Sequence, residues 1–210
     1  PSTPTTWTYG TSAAAHNIGR LQSHANPDGY QESHTFDSHG RPAVSTYTMD
    51  GTAYAVDTTY NTLGAVDTLK YPTSSSGYRF TLKYVYSYGF VQQVKDNAAG
   101  TIFWSLSDAN DYGSPKTEVL GNTATISSTY TPWTNDLLTR QVVKGSTLQS
   151  LAYQWDLNGN LQQRQDLLQN LTELLSYDSL NRLTGGTLNT VANLSVGYSA
   201  NGNITTKSDA

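Results

Sequence analysis

The amino-acid sequence predicts an all-β fold built from tandem β-hairpins, and three observations lead to this prediction. Only 36% of the 210 residues are hydrophobic and 13% are charged, whereas tyrosine, threonine, serine, asparagine and glycine are abundant. Threonine and aromatic residues favour strands, while glycine and asparagine favour the turns between them. A turn motif also recurs along the whole chain, and residues of alternating polarity flank its last copies.

The recurring motif consists of an aromatic residue, an aspartate, two variable residues, a glycine or asparagine, one polar residue and an aliphatic residue. Clear copies are YDSLNRL from Tyr177, WDLNGNL from Trp155 and FDSHGRP from Phe36. Including looser copies, the motif begins at residues 15, 36, 60, 85, 109, 131, 155, 177 and 198, a spacing of 21 to 25 residues. A nearly fixed period of this length indicates a repeat architecture.

The fifth position of the motif predicts a tight turn. It is occupied by Gly40, Gly64, Gly159 and Gly202, and by Asn181 in the Tyr177 copy. Glycine and asparagine are the residues that most readily adopt a positive φ, so this position is expected to be the left-handed corner of a hairpin. A three-residue loop closed by a G1 bulge fits the pattern.

The aspartate of the motif has a local structural interpretation. At the first position of a turn, a carboxylate accepts the backbone N–H two residues further on, which favours the chain reversal. Asp37, Asp156 and Asp178 are expected to act in this way, and Asn61 and Ser199 more weakly. Tyr177, which precedes Asp178, is expected to be an inward-facing strand residue.

The alternation of Leu194, Val196 and Tyr198 with smaller residues predicts a strand with one buried face. Each repeat is therefore expected to be a hairpin with one stereotyped turn and one variable turn. Nine repeats give about eighteen strands, roughly 85 Å of sheet, and strongly twisted sheets of more than about ten strands curl. A curved sheet that is part of a shell or large barrel is expected, with a packed sandwich as the alternative.

The copies from Phe36, Trp155, Tyr177 and Tyr198 resemble the YD repeats of the Rhs family, which also occur in the C components of bacterial Tc toxins and in teneurins. The resemblance implies a spiralling β-sheet shell that encloses a C-terminal toxin or effector domain, or that supports adhesion in the teneurins. It implies a secreted or cell-surface location for a longer protein. Its expected partners are neighbouring repeats and an enclosed effector domain of the same protein.

Nothing in the chain matches the Asp-Pro-rich self-cleavage segment that ends the shell in bacterial members of that family. A structural, non-catalytic role is therefore expected. Residues 1–210 are interpreted as a single array of repeats that is an excerpt of a longer protein, because the ending NGNITTKSDA stops within a strand pattern. The unpaired strands near residues 7–10 and 203–207 are expected to allow edge-strand self-association.

Composition argues against several other functions. A net charge of −4 without a basic run predicts no binding to nucleic acid, and no apolar run reaches the length of a membrane span. There are no cysteines, which excludes disulfide bonds and metal sites with thiolate ligands. His34, Asp37 and His39 could in principle bind a metal, but exposed turn histidines are the simpler interpretation, and no metal or cofactor is expected.

An aromatic stripe supplies the alternative function. In YVYSYGF, Tyr84, Tyr86, Tyr88 and Phe90 are expected to lie on one side of a strand. An exposed stripe of this kind would stack against sugar rings, which makes a carbohydrate-binding or adhesion module the alternative hypothesis. A stripe that packs as a cross-strand aromatic ladder would be structural instead.

Overall fold

The computed structural model describes residues 4–208 and has the predicted all-β fold. The described part of the chain divides into two compact units, the first ending at Phe103 and the second beginning at Trp104. In the described part of the chain, no helix is both long and apolar enough to cross a membrane.

The described residues of the first unit form eight complete strands, which follow one another along the chain. They are β1 (Thr6–Tyr9), β2 (Leu21–Ala25), β3 (Gln31–Phe36), β4 (Pro42–Met49), β5 (Thr52–Tyr60), β6 (Val66–Lys70), β7 (Thr81–Ser87) and β8 (Phe90–Asp96). Each strand pairs antiparallel with the next one.

The second unit begins within β9 and continues the same pattern to β18. Its strands are β9 (Ile102–Ala109), β10 (Pro115–Leu120), β11 (Thr125–Tyr130), β12 (Leu137–Lys144), β13 (Ser146–Trp155), β14 (Leu161–Asp166), β15 (Leu171–Tyr177), β16 (Leu183–Leu188), β17 (Val191–Tyr198) and β18 (Ile204–Lys207). Consecutive strands again pair antiparallel.

The segment LLQNLTELLSY, residues 167–177, forms part of a hairpin. Strand β14 ends at Asp166, Asn170 has a φ of 53°, and β15 runs from Leu171. Asparagine tolerates this left-handed conformation better than most residues, which allows a turn where the paired leucines would also suit a helix.

Within each unit the sheet is a single layer, because the strands in contact are neighbours in sequence. Among the described residues, the buried apolar side chains are those of Ala124, Ile126 and Val196. The two faces nevertheless differ. In β11, Ile126, Ser128 and Tyr130 lie on the more buried face, whereas Thr129 lies on the exposed face and pairs its hydroxyl with that of Thr139 on β12. Stability in such a sheet depends on contacts between neighbouring strands.

Candidate functional site

The stereotyped hairpin turns lie along one edge of the ribbon in each unit, and we call this row the turn edge. Its turns are residues 10–20, 37–41, 61–65 and 88–89 in the first unit, and 110–114, 131–136, 156–160, 178–182 and 199–203 in the second. The glycine or asparagine at the fifth motif position has a positive φ, between 60° and 85°, in all nine turns. This group comprises Gly19, Gly40, Gly64, Gly89, Gly113, Asn135, Gly159, Asn181 and Gly202.

The motif aspartates are acceptors for the backbone of their own turns. Asp178 Oδ1 accepts the N–H groups of Leu180 at 2.9 Å and Arg182 at 3.0 Å. Asp37 and Asp156 accept the equivalent pairs of N–H groups. Asn61 makes the same two bonds through its side-chain oxygen. In these four turns the acceptor is a side-chain oxygen, which is charged in the three aspartates and neutral in Asn61.

Ser199 does not act as the weaker acceptor that was expected. Its Oγ is buried without a hydrogen-bond partner, and the turn is closed by the backbone bonds from Ser199 N–H to Asn203 and from Gly202 N–H to Ser199. The serine side chain is one atom shorter than that of asparagine or aspartate, which limits its reach to the backbone of the turn. Gly202 supplies the left-handed corner, so this turn forms without the side-chain bonds.

For three motif copies, the starting residue assigned from the sequence was wrong. Cross-strand pairing with the seventh motif position identifies Tyr9, Tyr86 and Tyr130 as the aromatic residues of the copies assigned to residues 15, 85 and 131. The reason is loop length: the first copy has a long loop at 10–20, the fourth a two-residue turn at 88–89, and the sixth an extra residue between 131 and 136.

The motif aromatic residue bonds one repeat to the preceding one. Tyr177 Oη donates to the carbonyl of Leu161, the seventh motif position of the previous repeat, at 3.0 Å. Burial raises the pKa of the Tyr177 phenol, which therefore remains a protonated donor. Five further residues donate in the same way at 2.7 to 2.9 Å: Tyr60 to Pro42, Tyr86 to Val66, Tyr130 to Pro115, Trp155 to Leu137 and Tyr198 to Leu183.

Arginine at the sixth motif position adds a second link between repeats. The Arg182 guanidinium pairs with Asp178 at 2.6 Å and lies 4.5 Å from the ring centroid of Tyr198, the aromatic residue of the next repeat. Arg41 pairs with Asp37 at 2.7 Å and lies 4.1 Å from the ring centroid of Tyr60. The aspartate thus holds an arginine in place for a cation–π contact with the following repeat.

Asparagine makes the equivalent link where arginine is missing. Asn160, at the sixth position, donates from Nδ2 to its own Asp156 at 2.9 Å and to Asn181 of the next turn at 2.8 Å. Asn135 likewise donates to Ser114 of the preceding turn at 2.7 Å and accepts from Asn110. Side-chain hydrogen bonds therefore join turn 110–114 to turn 131–136, and turn 156–160 to turn 178–182, within the second unit.

Sequence reasoning found the turns but missed these links between them. One pattern in the sequence does indicate the arginine links. In three places, a motif copy with arginine at its sixth position is followed by a copy that begins with an aromatic residue. Arg20 with Phe36 is the third of these, with 5.9 Å between the guanidinium carbon and the ring centroid.

The electrostatics of the aspartates suit scaffolding rather than proton transfer. Hydrogen bonds from the Arg182 side chain and backbone lower the pKa of Asp178, and those from the Asn160 side chain and backbone lower the pKa of Asp156. For Asp37, partial burial acts to raise the pKa, but the hydrogen bonds from Arg41 and His39 outweigh it and lower the pKa to about 2. Carboxylates of this kind are weak bases and stay ionised at neutral pH.

The Asp37 turn is expected to lose stability in acid. Because its pKa falls from 3.8 in the free side chain to about 2 in the fold, the stabilisation is fully present above pH 4 and disappears as the pH falls through 2. We expect the parent chain to have a higher free energy of unfolding than the Asp37→Asn variant at pH 7. We expect this difference to shrink between pH 4 and pH 2. Urea unfolding midpoints of both chains, determined from pH 7 to pH 2, measure the difference. A difference that is as large at pH 2 as at pH 7 would contradict the prediction.

The aromatic stripe of residues 84–90 is not a single strand face, which corrects the expectation. Strand β7 ends at Ser87, Tyr88 and Gly89 form the turn, and Phe90 begins β8 opposite Ser87. Tyr88 has a φ of 50° and is 99% exposed, whereas Tyr84 and Tyr86 are half-buried. The two-residue turn at Tyr88-Gly89 reverses the chain, so the aromatic residues on either side of it belong to different strands. Glycan binding by Tyr84, Tyr86 and Tyr88 stays a prediction.

His34 and Asp37, which were considered as metal ligands, contact other protein groups instead. His34 lies 2.9 Å from Ser45 Oγ and 3.2 Å from Glu32, while Asp37 binds the backbone of its own turn. In residues 4–208, no group of three or more histidine, cysteine, aspartate or glutamate side chains is arranged to hold a metal ion.

No protein-family model and no curated protein sequence matches this chain. Its fold, however, matches solved structures at 15% sequence identity. The crystal structure of TcdB2-TccC3 matches with a TM-score of 0.73 over 97% of this chain and 13% of that one. A Photorhabdus luminescens Tc holotoxin pore with a mutated TccC3 matches with a TM-score of 0.70 over 97% of this chain and 12% of that one.

A third structure, TcdB2-TccC3 without its hypervariable C-terminal region, matches with a TM-score of 0.70 over 92% of this chain and 12% of that one. The chain thus spans only a small part of the length of the solved chains that it matches. The chain has the fold of a segment of TcdB2-TccC3, and the resemblance to Rhs-type repeats is confirmed at the level of the fold.

Proposed function

We propose that this chain is a non-catalytic wall segment, a single array of hairpin repeats in a longer shell that encloses a C-terminal effector domain of the same protein. The observation that carries the proposal is the repeated bond from the motif aromatic residue to the preceding repeat, made six times at equivalent positions. Such nearest-neighbour bonding lets a sheet extend by adding hairpins, without a second layer to support it.

The fold of the solved structures supports this role. The chain matches only 12% to 13% of their length, as a wall segment of a longer protein would. One of them was solved without its hypervariable C-terminal region, so that protein has such a region. In the proposed role, the longer protein is secreted or displayed at the cell surface, and its cargo differs between relatives.

Protease protection tests the proposal. The coding sequence downstream of residue 210 is determined first, and the longer chain is then expressed and treated with a nonspecific protease. We expect the downstream domain to survive until the repeats are unfolded with urea, and to be cut at once when it is expressed without them. Equal cleavage rates with and without the repeats, or a coding sequence that lacks a downstream domain, would refute enclosure.

A further inference from the structure

We infer that the turn edge of the second unit is a docking surface for a second copy of this chain. Four of its hairpin turns each carry one large and exposed apolar or aromatic side chain: Tyr112, Trp133, Leu157 and Leu180, which are 58%, 88%, 106% and 68% exposed. We call these four residues the tip row. The central positions of tight turns ordinarily favour aspartate, asparagine, serine, glycine or proline. Apart from the Tyr112 hydroxyl, which lies near the carbonyls of Pro132 and Trp133, these side chains are mostly exposed to solvent instead of packed within their own unit.

The tip row is held in place by the rest of the turn edge. Asn135 bonds to the turn of Tyr112, Asn160 bonds to the turn of Leu180, and Tyr112 Oη lies 3.3 Å from the carbonyl of Trp133. Neighbouring tips are two strands apart, roughly 10 Å along the edge. A surface that is ordered before binding loses little conformational entropy when it docks.

Charge indicates which surface of the second copy fits. Asp111, Asp136 and Asp156 lie in the turns of the tip row without a cationic partner there, so two tip rows placed face to face would bring like charges together. The opposite edge of the second unit carries variable turns, with Lys144 at one and Asp166 at another, so it lacks the excess of negative charge that the tip row has. It also bears exposed apolar residues at the same two-strand interval: Leu148, Leu168 and Val191, which are 58%, 51% and 69% exposed.

The area of the tip row is consistent with a specific but weak contact. Large apolar side chains at these exposures offer on the order of 100–200 Å² each, so the tip row and its partner edge together would bury on the order of 1,000 Å². That value is at the lower limit for a specific interface. Since the tip row meets a different surface of its partner, the contact is heterologous, and copies add in a ring if the rotation between them closes or in a row if it does not.

Cysteine cross-linking tests this arrangement, because the chain contains no cysteine of its own. We expect a mixture of Leu157→Cys and Leu168→Cys variants to form the mixed cross-linked dimer several-fold more than either variant forms its own. Thr205→Cys, in the edge strand β18, is expected to cross-link least. Predominant cross-linking through Thr205→Cys would assign the association to edge-strand pairing and overturn the inference, as would predominant Leu157→Cys homodimers.

Concentration-dependent light scattering provides the second measurement. We expect the mean mass of the parent chain to rise with concentration, and the triple variant Trp133→Ser, Leu157→Ser and Leu180→Ser to need at least about tenfold more protein for the same rise. Serine suits these turns, so the variant is expected to fold normally. The control is Leu174→Ser, which removes a 46% exposed leucine from the middle of β15. A parent chain that is monomeric at about 1 mM, or a triple variant that associates like the control, overturns the inference.

Docking through the tip row does not require that the chain enclose another domain. A ribbon that docks edge to edge need not enclose anything, and protease protection of a downstream domain does not depend on contacts between separate copies. The two experiments can therefore fail separately.

Discussion

Replacing Trp155 with alanine is expected to destabilise the second unit by about 2–3 kcal/mol. Trp155 lies at the end of β13 on the more buried face, and its Nε1–H donates to the carbonyl of Leu137 at 2.8 Å. The substitution removes the packed indole and leaves that carbonyl without its donor. The expected loss is smaller than for a fully buried tryptophan because the indole is partly exposed.

The chain offers a matched control in Trp133, which is 88% exposed at the tip of the neighbouring turn. We expect Trp133→Ala to change the free energy of unfolding by no more than about 0.5 kcal/mol. Trp155→Phe separates the two contributions, since it keeps an aromatic ring but loses the donor, at a cost of about 1 kcal/mol. Urea unfolding followed by circular dichroism measures all three, and equal effects at Trp133 and Trp155 would contradict the role of the bond.

A methyl group added at Gly10 is expected to cost about 2–4 kcal/mol in the first unit. Its Cβ would lie 2.5 Å from the backbone oxygen of Asn17 and 2.2 Å from the Cγ of its side chain. Asn17 cannot easily move, because it is 6% exposed, its Oδ1 accepts the N–H of Ser12, and its carbonyl accepts the N–H of Arg20. The whole loop 10–20 would have to shift to make room.

Gly19→Ala in the same loop is the control for this prediction. A Cβ at Gly19 meets no atom within 4 Å, so the cost there is that of a positive φ of 71°, about 1 kcal/mol. The double variant Gly10→Ala with Asn17→Gly removes the side-chain part of the collision and should recover a fraction of the loss. Thermal unfolding of the four chains tests the order, and a Gly10→Ala chain no less stable than Gly19→Ala would contradict the collision.

The sequence predicted the parts of the fold that depend on local backbone chemistry. Glycine or asparagine at the fifth motif position marked the left-handed corners, and Asp37, Asp156 and Asp178 marked the turns that they close. These features need only a few adjacent residues, so they can be recognised without knowledge of the sheet.

Features that depend on loop length were predicted less well. The motif frames near residues 15, 85 and 131 were misplaced because loops of two, six or eleven residues occupy the place of the usual turn. Tyr88 was assigned to a strand face because alternation continues through YVYSYGF, although the pair Tyr88-Gly89 reverses the chain. Periodicity reports which residues alternate, but it does not report where a hairpin ends.

Contacts between repeats were the least predictable. The donor in Tyr177 and the acceptor in Leu161 are 16 residues apart, and nothing near either residue indicates the other. Only the pairing of β14 with β15 brings them together. The apolar tips were also overlooked, since an exposed leucine such as Leu157 looks the same in sequence as one that faces a core.

The bonding of each hairpin only to its neighbours has a mechanical consequence. A force that pulls one end of a unit away from its sheet loads a single strand pair at a time, together with one aromatic bond. The sheet should therefore unfold stepwise from the pulled end, and each step should release one hairpin. Such a ribbon resists stretching along its strands far better than it resists being opened from an end.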